Sequence, residues 1–195
     1  MSRQPTDSRD RILREAARLF KAKGYAGTTM DEVAAAAERN KATVYHYFAS
    51  KAELLHTIYS ETAEVALETI RSLPPDLSAA EAVRRLIRGN LEVASARPNE
   101  TAVYFHEVDW IKEWLPPILY KDVHAAEVAY FAELREIVTR GHDEGEFGDL
   151  DLGTAVQVIA GAIAWASHRR VPTDVPVADA ADRLADVVLG GLASR

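Results

Sequence analysis

The sequence predicts an all-α fold of about nine helices, and three observations carry that reading. Apolar residues recur at helical spacing along most of the 195 residues, while no segment alternates convincingly with period two, so no sheet is expected. Proline and glycine sit between the periodic stretches, at Gly24, Pro74-Pro75, Pro98, Pro116-Pro117, the Gly141–Gly148 loop, and Pro172 with Pro176. Side chains that cap helices stand just before several of those stretches.

The elements follow in order. Ile12, Ala16, Leu19 and Phe20 make the first stripe, which ends at Lys23 with Gly24 as a left-handed cap. Thr29 with Glu32 is a capping box, and Asp31 and Glu32 place negative charge in the first turn of the second helix. Met30, Val33, Ala34 and Ala37 form its buried stripe. Asn40 is the N-cap of a third helix in which Val44 and Phe48 face inward. A fourth helix starts at about Ser50, with Glu53 three residues on, and runs to about Leu73. Ser78 with Glu81 reads as a second capping box, opening a helix to about Ala96. Helices are expected over 99–114, 118–141, 152–170 and 177–193. The loop between the last three carries His142, Asp143, Glu144 and Glu146, which read as solvated.

The third helix is the chemically distinctive one. With Val44 and Phe48 turned inward, Lys41, Ala42, Thr43, Tyr45, His46 and Tyr47 are left largely outward. A small residue lets a helix backbone approach a duplex, and Lys, Thr and Tyr can reach base edges in the major groove while their neighbours bond phosphate. Two short helices joined by a tight polar break, the second bearing such a face, form a helix-turn-helix. Charge agrees with this assignment. Residues 1–56 hold ten basic and seven acidic side chains, a net of +3, whereas the whole chain is −7, which leaves −10 for the remainder. A basic head on an acidic body orients a molecule on DNA.

The run LFKAKGYAGTTMDEVAAAAERNKATVYHYFASKAELL resembles the DNA-binding domain of TetR-family repressors. The likeness includes the Gly-Tyr after the first helix, the paired Thr, the YHYF run and the SK-x-E-L start of the fourth helix. It implies that Thr29, Asn40, His46, Tyr47 and Lys51 contact phosphates and that Lys41, Ala42, Thr43 and Tyr45 lie at or near bases. The family usually has a Gly-hydrophobic-Ser turn where this chain has Glu38-Arg39-Asn40. A Glu in the left-handed position that Gly suits costs roughly 1 kcal/mol, and Arg39, unable to pack as an apolar residue does, is expected to point to DNA. The resemblance divides the chain into a DNA-binding domain at 1–52 and a ligand-binding and dimerisation domain at 53–195.

The body supports a regulator. The helix 152–170 is apolar on more than one face, with Ala155, Val158, Ile159, Ala162, Ile163 and Ala166 on one stripe and Val156, Ala160 and Ala164 on another. In 177–193, Val177, Ala181, Leu184, Val188 and Leu192 line one side, widened by Ala180 and Val187. A homodimer through these two helices is expected, since one helix-turn-helix reads little DNA and the family resemblance also implies a dimer. The middle helices hold the aromatics. Tyr104, Phe105, Glu107, Trp110, Trp114, Tyr130, Trp165 and Arg169 are the candidate ligand contacts.

The segment from Glu107 to Pro172 further resembles the sensing domain of TetR repressors of fatty-acid and steroid catabolism, some of which respond to acyl-CoA thioesters. The implied effector is thus small and hydrophobic, an acyl-CoA or a lipid- or steroid-like molecule. The alternative is a sensor of drugs or aromatic compounds controlling an efflux or catabolic gene.

Composition bounds the rest. There is no cysteine, which excludes disulfides and thiolate metal sites and suits a reducing cytoplasm. The N-terminus MSRQPTDSRDR lacks an apolar signal region, and no apolar run reaches membrane-spanning length, so a cytoplasmic protein without membrane contact is expected. Glu107 and Asp109 point to different helix faces, and the sequence has no phosphate loop, nucleophile elbow or paired-His helix motif. Neither an enzyme nor a bound cofactor or metal is expected. A constitutive architectural DNA binder is disfavoured by so large an acidic, aromatic-rich body.

Overall fold

A computed structural model of the chain describes residues 5–106, 117–168 and 175–193. Among them are nine helices: α1 (Pro5–Lys23), α2 (Met30–Ala36), α3 (Lys41–Tyr47), α4 (Lys51–Arg71), α5 (Ala79–Ala96), α6 (Pro98–His106), α7 (Pro117–Asp143), α8 (Leu152–His168) and α9 (Val177–Leu192). There is no strand among the described residues, only an isolated bridge between Phe147 and Ala193. The distal part of the expected 99–114 helix lies outside the described residues.

The chain divides into two compact units. One comprises residues 1–62 and 98–124, the other 63–97 and 125–195. The first is built around Ile12, Ala16, Ala17 and Phe20 of α1, Val33 and Ala37 beside α2's stripe, Val44 and Phe48 around α3, and Leu54, Leu55, Ile58 and Tyr59 of α4. Tyr59 is fully buried and donates its phenol to the Val103 carbonyl at 3.1 Å, so its polar end is satisfied inside the core.

The local signals that start these helices are realised as hydrogen bonds. Gly24 adopts φ 76°, and its N–H donates to the Phe20 carbonyl at 2.8 Å, ending α1. Thr29 and Glu32 form the complete capping box. Asn40 caps α3 through its side-chain oxygen, which accepts from the Thr43 N–H at 2.7 Å.

The second unit packs α5, α8 and α9 around Leu86, Ile87, Leu134, Val138, Ile159, Ile163, Ala185 and Val188. Two ion pairs tie α5 to α9, Arg84 to Asp186 at 2.7 Å and Arg88 to Asp182 at 2.5 Å.

The loop after α7 departs from the sequence reading. Glu146, read as solvated, accepts the backbone N–H groups of Ala79 and Ala80 at 2.8 and 3.0 Å and so caps α5. Ser78 does take the Glu81 N–H at 3.2 Å, but the Glu81 carboxylate turns to Arg85 at 2.9 Å. The cap of α5 is therefore shared between Ser78 and a residue far along the chain, a contact that no local spacing announces. Phe147 beside it is buried, and the Gly148 N–H donates to the Leu192 carbonyl at 2.9 Å, pinning the loop to the end of α9.

Candidate nucleic-acid interface

The turn between α2 and α3 decides how α3 is presented. The Glu38 N–H donates to the Ala35 carbonyl at 3.1 Å and the Arg39 N–H to the Ala34 carbonyl at 3.0 Å, the two bonds of a Schellman cap. The first of the two donors in such a cap is left-handed, and Glu38 has φ 53°. The position that Gly would fill is thus held by Glu, as the sequence reading expects. Its carboxylate pairs with Arg11 at 2.6 Å, which offsets part of the roughly 1 kcal/mol conformational cost. Arg39 is half-buried. Its Nε donates to the Ser8 hydroxyl at 3.2 Å and its Nη1 to the Glu38 carbonyl at 3.0 Å, so its guanidinium is engaged at the start of α1.

With the turn fixed, α3 buries Val44 and Phe48 and leaves Lys41, Ala42, Tyr45 and His46 exposed, Tyr45 at 43%. Thr43 is half-exposed, and its hydroxyl donates to the Asn40 side chain at 2.8 Å. Tyr47 packs against the core, with its ring 5.2 Å from that of His46. Seven residues make a helix of about 10 Å, enough to lie in a major groove.

Lys41 is not a free arm. Its ammonium pairs with Asp31 at 2.7 Å and lies 5.9 Å from the centre of the Tyr45 ring. The hydrogen bond and charge of Asp31 hold the Lys41 ammonium above its ordinary pKa. Thr29 is exposed at the start of α2. Lys23 and the Thr29 cap together bring the Glu32 carboxyl down to about 2.

Lys51 is placed differently from its neighbours. Its ammonium donates to the Tyr25 carbonyl at 2.7 Å and the Thr28 carbonyl at 2.9 Å, and stands 4.3 Å from the Tyr25 ring centre. Burial lowers its pKa. This clamp, and the Asp31–Lys41 pair, escape sequence reasoning because their partners are joined across turns, where helical spacing is silent.

The candidate ligand residues fall into separate groups. Tyr104 and Phe105 are half-buried in the first unit, their rings 5.2 Å apart, with Tyr104 also 5.2 Å from Tyr59. Tyr130 belongs to the second unit, where burial pushes its phenol up to about 12, partly offset by Asn90. Trp165 of α8 is 63% exposed. Glu107, Trp110, Trp114 and Arg169 lie outside the described residues. On the second unit an open, mainly apolar groove of about 450 Å³ runs between α8 and α9, lined by Val158, Ala162, Leu184, Val187 and Gly191 among others. No group of three or more His, Asp or Glu side chains suited to a metal is found among the described residues. No helix there is long and apolar enough to cross a membrane.

Comparison with known proteins agrees with this layout. The family described as "Bacterial regulatory proteins, tetR family" matches residues 12–58, and that described as "Tetracyclin repressor-like, C-terminal domain" matches residues 76–192. The chain is 25% identical over 152 residues to the probable HTH-type transcriptional regulator YttP of Bacillus subtilis strain 168, covering 74% of this chain and 70% of that protein. Among solved structures, the TetR-family transcriptional regulator PfmR from Thermus thermophilus superposes with a TM-score of 0.83 at 25% identity, covering 93% of this chain and 98% of the other. AibR, in complex with isovaleryl coenzyme A and operator DNA, superposes with a TM-score of 0.76 at 24% identity, covering 95% of this chain and 97% of the other.

Proposed function

Because the chain belongs to the TetR family of transcriptional regulators, which bind DNA and are not enzymes, we propose that it is a ligand-responsive repressor. In this reading, residues 1–52 form the DNA-binding domain and 53–195 the ligand-binding and dimerisation domain. A dimer sets two copies of the helix 41–48 in successive major grooves of a pseudo-palindromic operator. The observation that carries the reading is the exposed row Lys41, Ala42, Tyr45 and His46 on a helix whose opposite side is locked into the core by Val44 and Phe48.

Lys41, Ala42, Thr43 and Tyr45 are assigned to bases. Thr29, Asn40, His46, Tyr47 and Lys51 are assigned to phosphates, with Arg39 at the edge of the surface. The Lys51 assignment is the weakest, since its ammonium already serves two carbonyls. Homodimer formation is assigned to α8 and α9. They leave Val158, Trp165 and Val187 exposed at 49%, 63% and 75%, large apolar side chains that a partner helix pair would cover.

The proposed effector is a small hydrophobic molecule. An acyl-CoA thioester is the first class to test, because AibR, a protein of this fold, holds isovaleryl coenzyme A. Its binding shifts α4, which contributes residues to both units, and so moves the population away from the DNA-competent state.

The test is binding to duplexes selected from a random-sequence pool. Lys41→Ala and Tyr45→Ala are each expected to weaken the selected duplex by about 1–3 kcal/mol, with unchanged thermal stability. Normal binding by both variants would remove α3 as the reading helix. Isovaleryl- and stearoyl-CoA are then titrated onto the preformed complex. Release by either supports a thioester effector, and release by neither, but by hydrophobic drugs or aromatic compounds, supports the efflux or catabolic sensor instead.

A further inference from the structure

The DNA face carries an acid as well as a base. Asp31 lies in the first turn of α2 and Lys41 opens α3, and the turn between brings their charged ends to 2.7 Å although ten positions separate them. Both side chains are exposed, at 67% and 59%, so the pair is presented to solvent rather than buried as a brace. A solvated pair of this kind contributes little to stability, about 0–1 kcal/mol. A free Lys at the head of a recognition helix would seek the nearest phosphate, which carries no sequence information. Asp31 opposes that. It cancels the charge of Lys41 as seen by the backbone, and it fixes the ammonium beside the Tyr45 ring.

What remains is a donor and an acceptor side by side. In the major groove a guanine–cytosine pair offers the complementary edge: the guanine O6 and N7 accept and the cytosine N4 amino group donates. The O6 and N4 atoms, hydrogen-bonded to each other, are about 2.9 Å apart, close to the separation of Lys41 Nζ and Asp31 Oδ1.

We propose that Asp31 and Lys41 act as one base-reading unit for a guanine–cytosine pair in each half-site, with Asp31 the specificity-determining residue. Lys41 donates to the guanine and Asp31 accepts from the cytosine amino group. The inference rests on α3 being the DNA-reading helix.

The experiment selects duplexes from a random-sequence pool in parallel with the full-length wild-type chain, Asp31→Ala, Asp31→Glu and Lys41→Ala. The wild type is expected to enrich a guanine–cytosine pair at one position of each half-site. Asp31→Ala is expected to lose about tenfold of that preference, while Asp31→Glu keeps most of it and Lys41→Ala loses it. Merely loosening α2 would weaken all sequences alike and leave the base preference in place. On an unselected duplex, Asp31→Ala is also expected to bind more tightly and to steepen the salt dependence by about one unit of slope, as a freed Lys41 finds phosphate. If Asp31→Ala enriches the same base at that position as strongly as the wild type, the base-reading unit is overturned while the DNA-reading helix stands. If the wild type enriches no sequence at all, the reading of α3 itself falls, and this inference with it.

Discussion

The ring of Phe147 lies so close against Gly141 that a Cβ on the glycine would stand 2.4 Å from ring carbons Cδ2 and Cε2, and 2.7 Å from the Cβ of Ala79. The ring cannot easily retreat. It is buried at 4% exposure, and its own N–H donates to the Gly141 carbonyl at 2.9 Å. Gly141→Ala would ordinarily gain up to about 1 kcal/mol of helix propensity. Here the overpacking is expected to win, with a net loss of about 1–3 kcal/mol in urea unfolding. Gly190 of α9 has nothing within 4 Å of a built Cβ, so Gly190→Ala is the control expected to stabilise. Equal gains from both substitutions would show that the Phe147 contact constrains nothing.

Glu146 gives a pH-dependent prediction. Burial pushes its carboxyl up, but the N–H groups of Ala80 and Ala79, the Ser78 hydroxyl and the charge of Arg140 outweigh it, and the net shift is downward. A carboxylate lowered on folding stabilises the protein fully above its unfolded pKa of about 4.3, and that contribution fades as pH falls through the folded value. Glu146→Gln is therefore expected to cost about 0.5–2 kcal/mol at pH 7, with the gap from wild type narrowing below about pH 4. A gap that is constant from pH 7 to pH 3 would mean the charge plays no part in the cap.

Lys51 and Lys41 are expected to separate stability from DNA affinity. Lys51→Met strips the Tyr25 and Thr28 carbonyls of their shared donor, and Thr28 is buried at 1% exposure. A loss of about 1–3 kcal/mol is expected, chiefly from the Thr28 carbonyl, since the Tyr25 carbonyl keeps the Thr28 N–H at 3.3 Å. Lys41→Ala removes only an exposed ion pair and should leave the melting temperature within about a degree or two. Thermal melts of the two variants beside their affinities for a selected duplex check this. A Lys51→Met protein of wild-type stability that fails to bind DNA would make phosphate contact, and not the carbonyl clamp, the main role of Lys51.

The contrast between these lysines also marks what the sequence made legible. Most signals confined to one turn of chain are readable, the Glu81 half of the Ser78 box excepted. The Thr29–Glu32 box, the Asn40 cap and the Gly24 stop all stand where their spacing places them, whereas the left-handed Glu38 is suggested only by the family's usual Gly at that position. The division of α3 into a buried and an exposed side is readable too, because one period governs it. Contacts that join distant segments were not readable. Glu146 on Ala79 and Lys51 on Tyr25 depend on how helices come together, and nothing in an acidic loop or a lysine near a helix start distinguishes a clamp from a solvated charge. Arg39 shows the same limit. Its mismatch with the usual apolar residue was visible, but its acceptor, Ser8, lies on another helix.

The dimer can be tested at Val187, which is 75% exposed on α9 and lines the groove with Val158 and Leu184. A charge placed there meets solvent in a lone chain, so Val187→Asp should cost the monomer little. In a dimer seam the same carboxylate would be desolvated beside its symmetry mate, without a partner. Native mass spectrometry is expected to find the wild type at twice the 21.5 kDa chain mass and Val187→Asp at the chain mass itself. Helical content and melting should stay close to wild type apart from the concentration dependence that dimerisation imposes. DNA binding then follows by linkage: two half-sites held by one rigid body bind far more tightly than either alone. Val187→Asp should accordingly lose most of its affinity for a two-half-site duplex, while a single half-site binds it as weakly as it binds the wild type. A variant that still runs at the wild-type mass would move the seam away from the α8–α9 groove.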